Sequence, residues 1–177
     1  MQDAKDVAAY ILTERGRLTG WQLQKLLYYC QAWSLAFNGE RLFPQEILAW
    51  DHGPVVPEVF QDHAGAYSIV STDIKGDASN VDVRYSALID AVVDSYGDLS
   101  GEELEEISHS EDPWQNAYVG FSSLRSLEIT CDSMRKYYSW LLTRSATERR
   151  AHHVPRFTCP NKLSVSDETF DWLASIS

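Results

Sequence analysis

The amino-acid sequence predicts a mostly α-helical protein: a single helical domain around a central buried helix, with a minor short β element. The first observation is the segment Thr19–Gly39, whose apolar residues lie at helical spacing almost all the way round. The second is that further segments with helical spacing follow one another along the chain, between capping and stop signals. Only the stretches near 47–50 and 69–83 have the character of short strands.

The segment Thr19–Gly39 has helix signals at both ends. Thr19 and Gln22 form a capping-box pattern, and Asn38-Gly39 predicts a stop because glycine tolerates the left-handed backbone conformation. The segment is too short and too polar to cross a membrane. The simplest interpretation is a core helix without chemistry of its own, because aromatic stripes on a helix usually pack inside the protein.

The other predicted elements follow in chain order. The helical spacing favours a first helix over 3–15, ended by Gly16, and helices over 57–63 and 85–96. Further helices are predicted to start at Ser100, at Asp112 and at Asp132, each acting as N-cap; the first of them ends at His109. Between these helices we expect a strand over 47–50, a turn over 51–54, and loop or extended chain over 120–130. Residues 65–84 predict a surface loop, with a hairpin across Gly76-Asp77 as one form of it.

The composition changes from about residue 143, so we divide the chain into a domain over 1–142 and an extension over 143–177. The extension is basic and contains two helix-breaking prolines, Pro155 and Pro160. One short amphipathic helix is predicted over 167–176. We expect the extension either to pack on the acidic body or to contact a partner.

The chain of 177 residues has a net charge of −11 and a pI near 4.8. Such acidity opposes nucleic-acid binding by the body and suits contact with a basic protein. The three cysteines, Cys30, Cys131 and Cys159, form no disulfide framework, which fits the reducing cytoplasm. No signal-peptide pattern and no membrane-spanning run is found, so we expect a cytoplasmic protein.

Five sequence blocks resemble one known family in their order and spacing. They are KLLYYCQAW at 25–33, LF at 42–43, AWDHGPVVPEVF at 49–60, ISHSEDPWQNA at 107–117 and SMRKYYSWL at 133–141. These blocks resemble the Panacea domain, also called the SocA-like antitoxin domain, over roughly residues 5–142. His52 stands where an aromatic residue is equally expected, and the chain beyond 143 has no counterpart in the blocks.

The resemblance implies a mostly helical antitoxin of bacterial, phage or mobile-element origin. Such an antitoxin neutralises a cognate toxin protein encoded beside it by direct contact. At least one branch of the family is similar in acting as an adaptor that delivers its toxin to a cytoplasmic protease. A phage or mobile-element interaction protein without a toxin partner is a further alternative.

The turn over 50–57 is the strongest candidate for partner binding. Two prolines and a glycine fix its backbone, so its side chains lose little entropy when they bind. We name Trp50, His52, Gly53, Pro54 and Val55 as candidate partner-binding residues. The alternative is a structural turn whose apolar residues belong to the core.

His109, Trp114 and Tyr118 complete the candidate set. His109 ends one predicted helix, where the helix dipole favours its charged form, and Trp114 begins the next. We expect the exposed parts of Trp114 and Tyr118 to contribute to the binding surface. The alternative for His109 is a hydrogen-bonded structural histidine that ties two helices together.

The sequence contains no motif that predicts catalysis. No G-x-S-x-G, H-E-x-x-H, P-loop or G-x-G-x-x-G pattern is present, so we expect neither an enzyme nor a cofactor. His152, His153 and Cys159 are metal-ligand types without a fourth ligand, and we predict no metal site. The acidic run over 102–112 is either a solvated face or a docking face for a basic toxin.

Overall fold

A computed structural model describes residues 1–120 and 127–156. Within these residues the chain forms eight α-helices and two small antiparallel sheets, which confirms the mostly α-helical prediction. The helices are α1 (Ala4–Arg15), α2 (Gly20–Phe37), α3 (Pro57–His63), α4 (Val83–Tyr96), α5 (Gly101–His109), α6 (Asp112–Ala117), α7 (Cys131–Leu142) and α8 (Ala146–Ala151). Among them no helix is both long and apolar enough to pass through a lipid bilayer.

The four strands are short and form two separate pairs. They are β1 (Leu18–Thr19), β2 (Leu48–Trp50), β3 (Gly53–Val55) and β4 (Ser68–Ile69). Strand β2 pairs with β3 as a tight hairpin, in which Trp50 lies opposite Gly53. Strand β1 pairs with β4, which joins the start of α2 to the loop that follows α3.

Helix α2 is the central helix, as the sequence predicts. Thr19 is its N-cap: the Thr19 hydroxyl accepts a hydrogen bond from the Gln22 backbone N–H, and the Gln22 side chain closes the capping box. Every residue from Leu23 to Leu35 is buried, and α2 packs against α1, α4, α5 and α7. The helix is therefore surrounded by protein, which explains why it is apolar on nearly all sides.

A carboxylic acid lies inside this core. Glu111 is only 2% exposed, and its Oε2 accepts hydrogen bonds from the hydroxyls of Tyr28 on α2 and Tyr138 on α7, at 3.3 and 2.7 Å. Burial raises the pKa of Glu111 to about 8, although both hydrogen bonds act in the opposite direction. Glu111 thus joins three helices as a predominantly neutral acid at pH 7.

The predicted hairpin across Gly76-Asp77 is wrong. Residues 71–80 instead form two 3-10 helices, Ser71–Asp73 and Ala78–Asn80, which pack on α1. The Asp77 backbone N–H donates to the Asp6 carboxylate at 2.8 Å, so the loop is fixed by a side chain far away in sequence. Local strand propensity cannot compete with these contacts.

Three smaller predictions need correction at the level of one or two residues. The turn after β2 is followed by β3 rather than directly by α3, so it is narrower than predicted. The N-cap of α6 is Glu111 rather than Asp112, and that of α7 is Thr130 rather than Asp132. In α7 the Thr130 hydroxyl accepts the capping hydrogen bond from the Ser133 backbone N–H. Asp132 lies within the first turn of the helix and is not the cap.

The described part of the extension packs on the body. Helix α8 was not predicted, and its C-cap carbonyl, that of His152, accepts a hydrogen bond from the Tyr96 hydroxyl at 3.1 Å. The same hydroxyl accepts a hydrogen bond from the Trp33 indole N–H in the core. The helix predicted over 167–176 lies outside the described residues, as do Cys159, Pro160 and Lys162.

The Tyr96 hydroxyl is expected to hold α8 on the body. Tyr96→Phe removes both hydrogen bonds and leaves the Trp33 N–H unpaired, so we expect a loss of about 1–3 kcal/mol in the free energy of unfolding. We also expect faster trypsin cleavage at Arg149 and Arg150, measured by mass spectrometry. Tyr85→Phe on the same helix is the control, because its hydroxyl has no hydrogen bond among the described residues. Equal cleavage rates in the two variants would contradict this role.

Candidate functional site

A buried lysine on α2 holds the hairpin of β2 and β3 against the central helix. Lys25 on α2 is 1% exposed, and its ammonium group donates a hydrogen bond to the backbone carbonyl of His52, in the turn. Burial lowers the pKa of Lys25 to about 8, while the nearby Glu105 carboxylate acts in the opposite direction. The ammonium form therefore still predominates at pH 7 and fixes the turn onto the central helix.

The absence of a side chain at Gly53 leaves space for the Lys25 side chain. The φ of Gly53 is +94°, in the left-handed region, and a Cβ atom there would lie 2.6 Å from Lys25 Cε. The position therefore requires glycine for two reasons, the backbone conformation and the close approach of a packed side chain. The sequence prediction of a rigid turn rests on the same glycine.

Gly53→Ala is expected to destabilise the protein by about 2–4 kcal/mol, because it adds displacement of Lys25 to the cost of a left-handed alanine. Gly120→Ala is a matched control: its φ is +92°, and a Cβ there meets no atom of the described residues within 4 Å. We expect Gly120→Ala to cost only about 1–2 kcal/mol in urea unfolding. Equal losses would mean that Lys25 moves aside at no cost.

Two aromatic residues of α6 and of the chain directly after it also hold the turn. The Trp114 indole N–H donates to the Trp50 carbonyl at 3.1 Å, and the Tyr118 hydroxyl donates to the Asp51 carboxylate at 2.9 Å. The rings of Trp114 and Tyr118 are stacked at 4.4 Å. Trp114 is 8% exposed, so it supports the turn from behind and offers much less surface than the sequence suggested.

His109 stacks on Trp114 with 3.9 Å between ring centroids. Its Nε2 atom is buried and has no hydrogen-bond partner among the described residues. Burial lowers the pKa of His109, with Lys25 and His52 adding to the effect and Glu105 opposing it. The neutral form is thus favoured, which is opposite to the expectation from the helix dipole, because burial outweighs it.

His52 lies on the outer side of the turn. Its ring stacks on Trp21 at 4.6 Å, and its Nδ1 is 3.2 Å from a Glu105 carboxylate oxygen. His52 is exposed, whereas Gly53, Pro54 and Val55 are buried. His52 therefore connects the hairpin, the first turn of α2 and helix α5 at the surface.

These elements enclose a cleft of about 990 Å³. It lies between the first turns of α2 and α5, the β2–β3 hairpin, helix α3 with the loop after it, and the chain after α6. Of the predicted site residues, Trp50, His52, Val55 and Tyr118 line the cleft. Among the described residues, the lining of the cleft does not include Gly53, Pro54, His109 or Trp114.

The sequence analysis missed several cleft residues. Trp21 is 42% exposed in the first turn of α2, and Tyr67 is 86% exposed in the loop after α3. Phe60, His63 and Lys25 also line the cleft. A helix that is apolar on all sides gave no signal that Trp21 is exposed, and Tyr67 lies in a loop whose position depends on the β1–β4 pairing.

The inner wall contains a hydrogen-bonded pair. Val56 N–H donates to Gln24 Oε1 at 2.8 Å, which orients the amide, so that Gln24 Nε2 donates to His63 Nε2 at 2.9 Å. His63 Nε2 is then an acceptor, and the ring proton resides on Nδ1. Burial lowers the pKa of His63, consistent with this neutral tautomer.

The arrangement is suited to binding. Among the described residues of the lining, the aliphatic hydroxyls are those of Thr19 and Ser100, and both are occupied as helix caps. In the part of the chain that the structure describes, no group of three His, Cys, Asp or Glu side chains could hold a metal ion. The aromatic lining and the fixed hairpin provide a preformed apolar surface instead.

The family model that matches this chain is that of the SocA-like antitoxins, the Panacea domain, over residues 23–115. The matched region includes α2 from Leu23 onward, the hairpin, α3 and α5, which together form most of the cleft. Neither the curated proteins nor the solved structures provide a match.

Proposed function

The chain belongs to the family of SocA-like antitoxins with a Panacea domain, and from this premise we propose that it neutralises a cognate toxin protein by direct binding. The toxin is encoded by the adjacent open reading frame, and binding takes place in the cytoplasm. No catalytic step is involved: the antitoxin covers the surface that the toxin needs for its own activity.

The cleft is the observation that supports this function most strongly. Exposed aromatic side chains on a fixed backbone are the residues that contribute most of the binding free energy in protein interfaces. Trp21 is exposed and Trp50 is half-buried in the lining of the cleft, and Lys25 and Trp114 hold the hairpin that carries Trp50. Binding at such a preformed surface costs little conformational entropy.

The alternative is a protease adaptor, which needs two separate faces, one for the toxin and one for the protease. The described part of the extension offers a second face: residues 150–156 border a smaller pocket against α4 that shares no lining residue with the cleft. In this alternative the cleft still binds the toxin, and the extension contacts the protease.

The test is co-expression of the chain with the product of the adjacent open reading frame, with a tag on the antitoxin. We expect the neighbour to arrest growth alone, to be harmless together with this chain, and to co-purify intact. If it is harmless but accumulates only in a protease-deficient host, the adaptor function is favoured. If co-expression does not restore growth, the antitoxin function is wrong.

A further inference from the structure

The cleft and helix α5 form one continuous surface. Trp21 and α5 are in contact, since a Cβ atom added at Gly101 would lie 3.0 Å from the Trp21 Cβ. Ser100, Gly101 and Glu102 at the start of α5 line the cleft. The aromatic rim therefore passes directly into the outer face of α5.

The outer face of α5 carries acidic side chains that no neighbouring lysine or arginine of the described residues neutralises. Residues 99–120 contain no lysine or arginine and six acidic residues, of which Glu111 alone is buried in the core as a neutral acid. Glu102, Glu103 and Glu106 are exposed, and among the described residues no lysine or arginine forms an ion pair with a carboxylate of α5. Lys25 is the only lysine or arginine among the described residues that line the cleft, and its ammonium group already donates a hydrogen bond to the His52 carbonyl.

We propose that the cleft and the acidic face of α5 together bind a partner segment in which an aromatic or branched apolar side chain is flanked by lysine or arginine. This inference rests on the proposed function for the identity of the partner as the toxin. The apolar side chain enters the cleft between Trp21 and Trp50, and its cationic neighbours lie over Glu102 and Glu106. Opposite charge would favour this orientation and speed the encounter.

The charge also argues against occupation by this chain's own C-terminal residues. Residues 157–177, which lie outside the described part, contain Lys162 against Asp167, Glu168 and Asp171. Like charges would oppose their approach to α5. The same argument disfavours a second copy of this protein, whose net charge is −11.

Three short fluorescent peptides test this proposal on the full-length protein. The first has a Leu-Trp-Leu centre flanked by Lys and Arg, the second has Asp and Glu in place of the cations, and the third keeps the cations but replaces the centre by serines. We expect the first peptide to bind at least about tenfold more tightly than the others in fluorescence anisotropy. Equal binding of the first and second peptides, or no binding of the first, would overturn the proposal.

The double variant Glu102→Lys/Glu106→Lys shows where the cations lie. We expect it to weaken binding of the first peptide by about tenfold or more and to reduce the salt dependence of binding. The control Glu14→Lys/Glu40→Lys makes the same change of charge at exposed residues outside the lining of the cleft. Equal weakening by both variants would mean that only net charge matters and would contradict a site on α5.

These results are independent of the co-expression test. If the toxin is neutralised and co-purifies but the basic peptide does not bind, the antitoxin function stands and the proposed partner chemistry is wrong. If the peptide binds at α5 and Trp21 but no toxin is neutralised, the site stands and its assignment to a toxin fails.

Discussion

Raising the pH from 6.5 to 8 is expected to destabilise the protein by about 1 kcal/mol, and Glu111→Gln is expected to abolish that loss. The pKa of Glu111 is raised by burial from 4.5 to about 8, so within this range the folded state holds a proton that the unfolded state has released. Stability from this group is complete below 4.5 and falls as the pH rises through the folded pKa.

Other buried groups act in the opposite direction and offset part of this loss. His63 and His109 have pKa values lowered by burial, so their contribution to stability is complete about one pH unit above 6.5 and is lost as the pH falls. The pKa of Lys25 is lowered to about 8, so stability increases as the pH rises from there toward 10.5. Between pH 6.5 and 8, Glu111 is therefore the main determinant among these groups.

The measurement is the free energy of unfolding in urea at a series of pH values, for wild type, Glu111→Gln and Glu106→Gln. A glutamine side chain has no ionised form, so the stability of Glu111→Gln should not decrease between pH 6.5 and 8 and should rise slightly through the other buried groups. Glu106 is exposed on α5 and makes no ion pair among the described residues, so Glu106→Gln should retain the wild-type slope. If Glu111→Gln keeps the pH dependence of the wild type, Glu111 is ionised in the fold.

The second large effect concerns the aromatic walls of the cleft. Trp50→Ala is expected to weaken toxin binding by at least about 30-fold, which corresponds to about 2 kcal/mol, and Trp21→Ala is expected to do the same. Trp50 is half-buried and packs edge-on against Phe60 at 5.0 Å, while its backbone carbonyl, which binds Trp114, remains in the variant. Binding should therefore decrease without unfolding of the domain.

Trp140→Ala is the matched control for these two variants. Trp140 is 48% exposed on α7, lies outside the lining of the cleft and stacks with Arg144. Affinity for the co-purified toxin can be measured by calorimetry, and helical content by circular dichroism. A loss of helical signal in Trp50→Ala would make Trp50 a core residue, and equal affinity losses in all three variants would exclude the cleft as the binding surface.

The helices could be predicted because their signals are local. Thr19 and Gln22 cap α2 through side chains three residues apart, and Ser100 and Glu103 do the same for α5. The hairpin over Gly76-Asp77 was wrong because β4 pairs with Leu18–Thr19 and because Asp6 binds the Asp77 N–H. Contacts between residues so far apart in sequence leave no periodicity in either segment.

The candidate site could be predicted only in part. The prolines and the glycine of the 50–57 turn indicate a fixed backbone, and Trp50, His52 and Val55 do line the cleft. Trp21 and Lys25 were missed because the exposed and buried faces of α2 are set by the hairpin and α5, which pack on it. The exposure of Trp114 was overestimated because its contact with the Trp50 carbonyl joins two distant segments.

Hydrogen–deuterium exchange of this chain, alone and in complex with the product of the adjacent open reading frame, tests the binding surface most directly. We predict increased protection of backbone amides in 19–25, 48–55 and 100–106, with little change in α8. Protection confined to α8, or to surfaces away from the cleft, would contradict binding at the cleft.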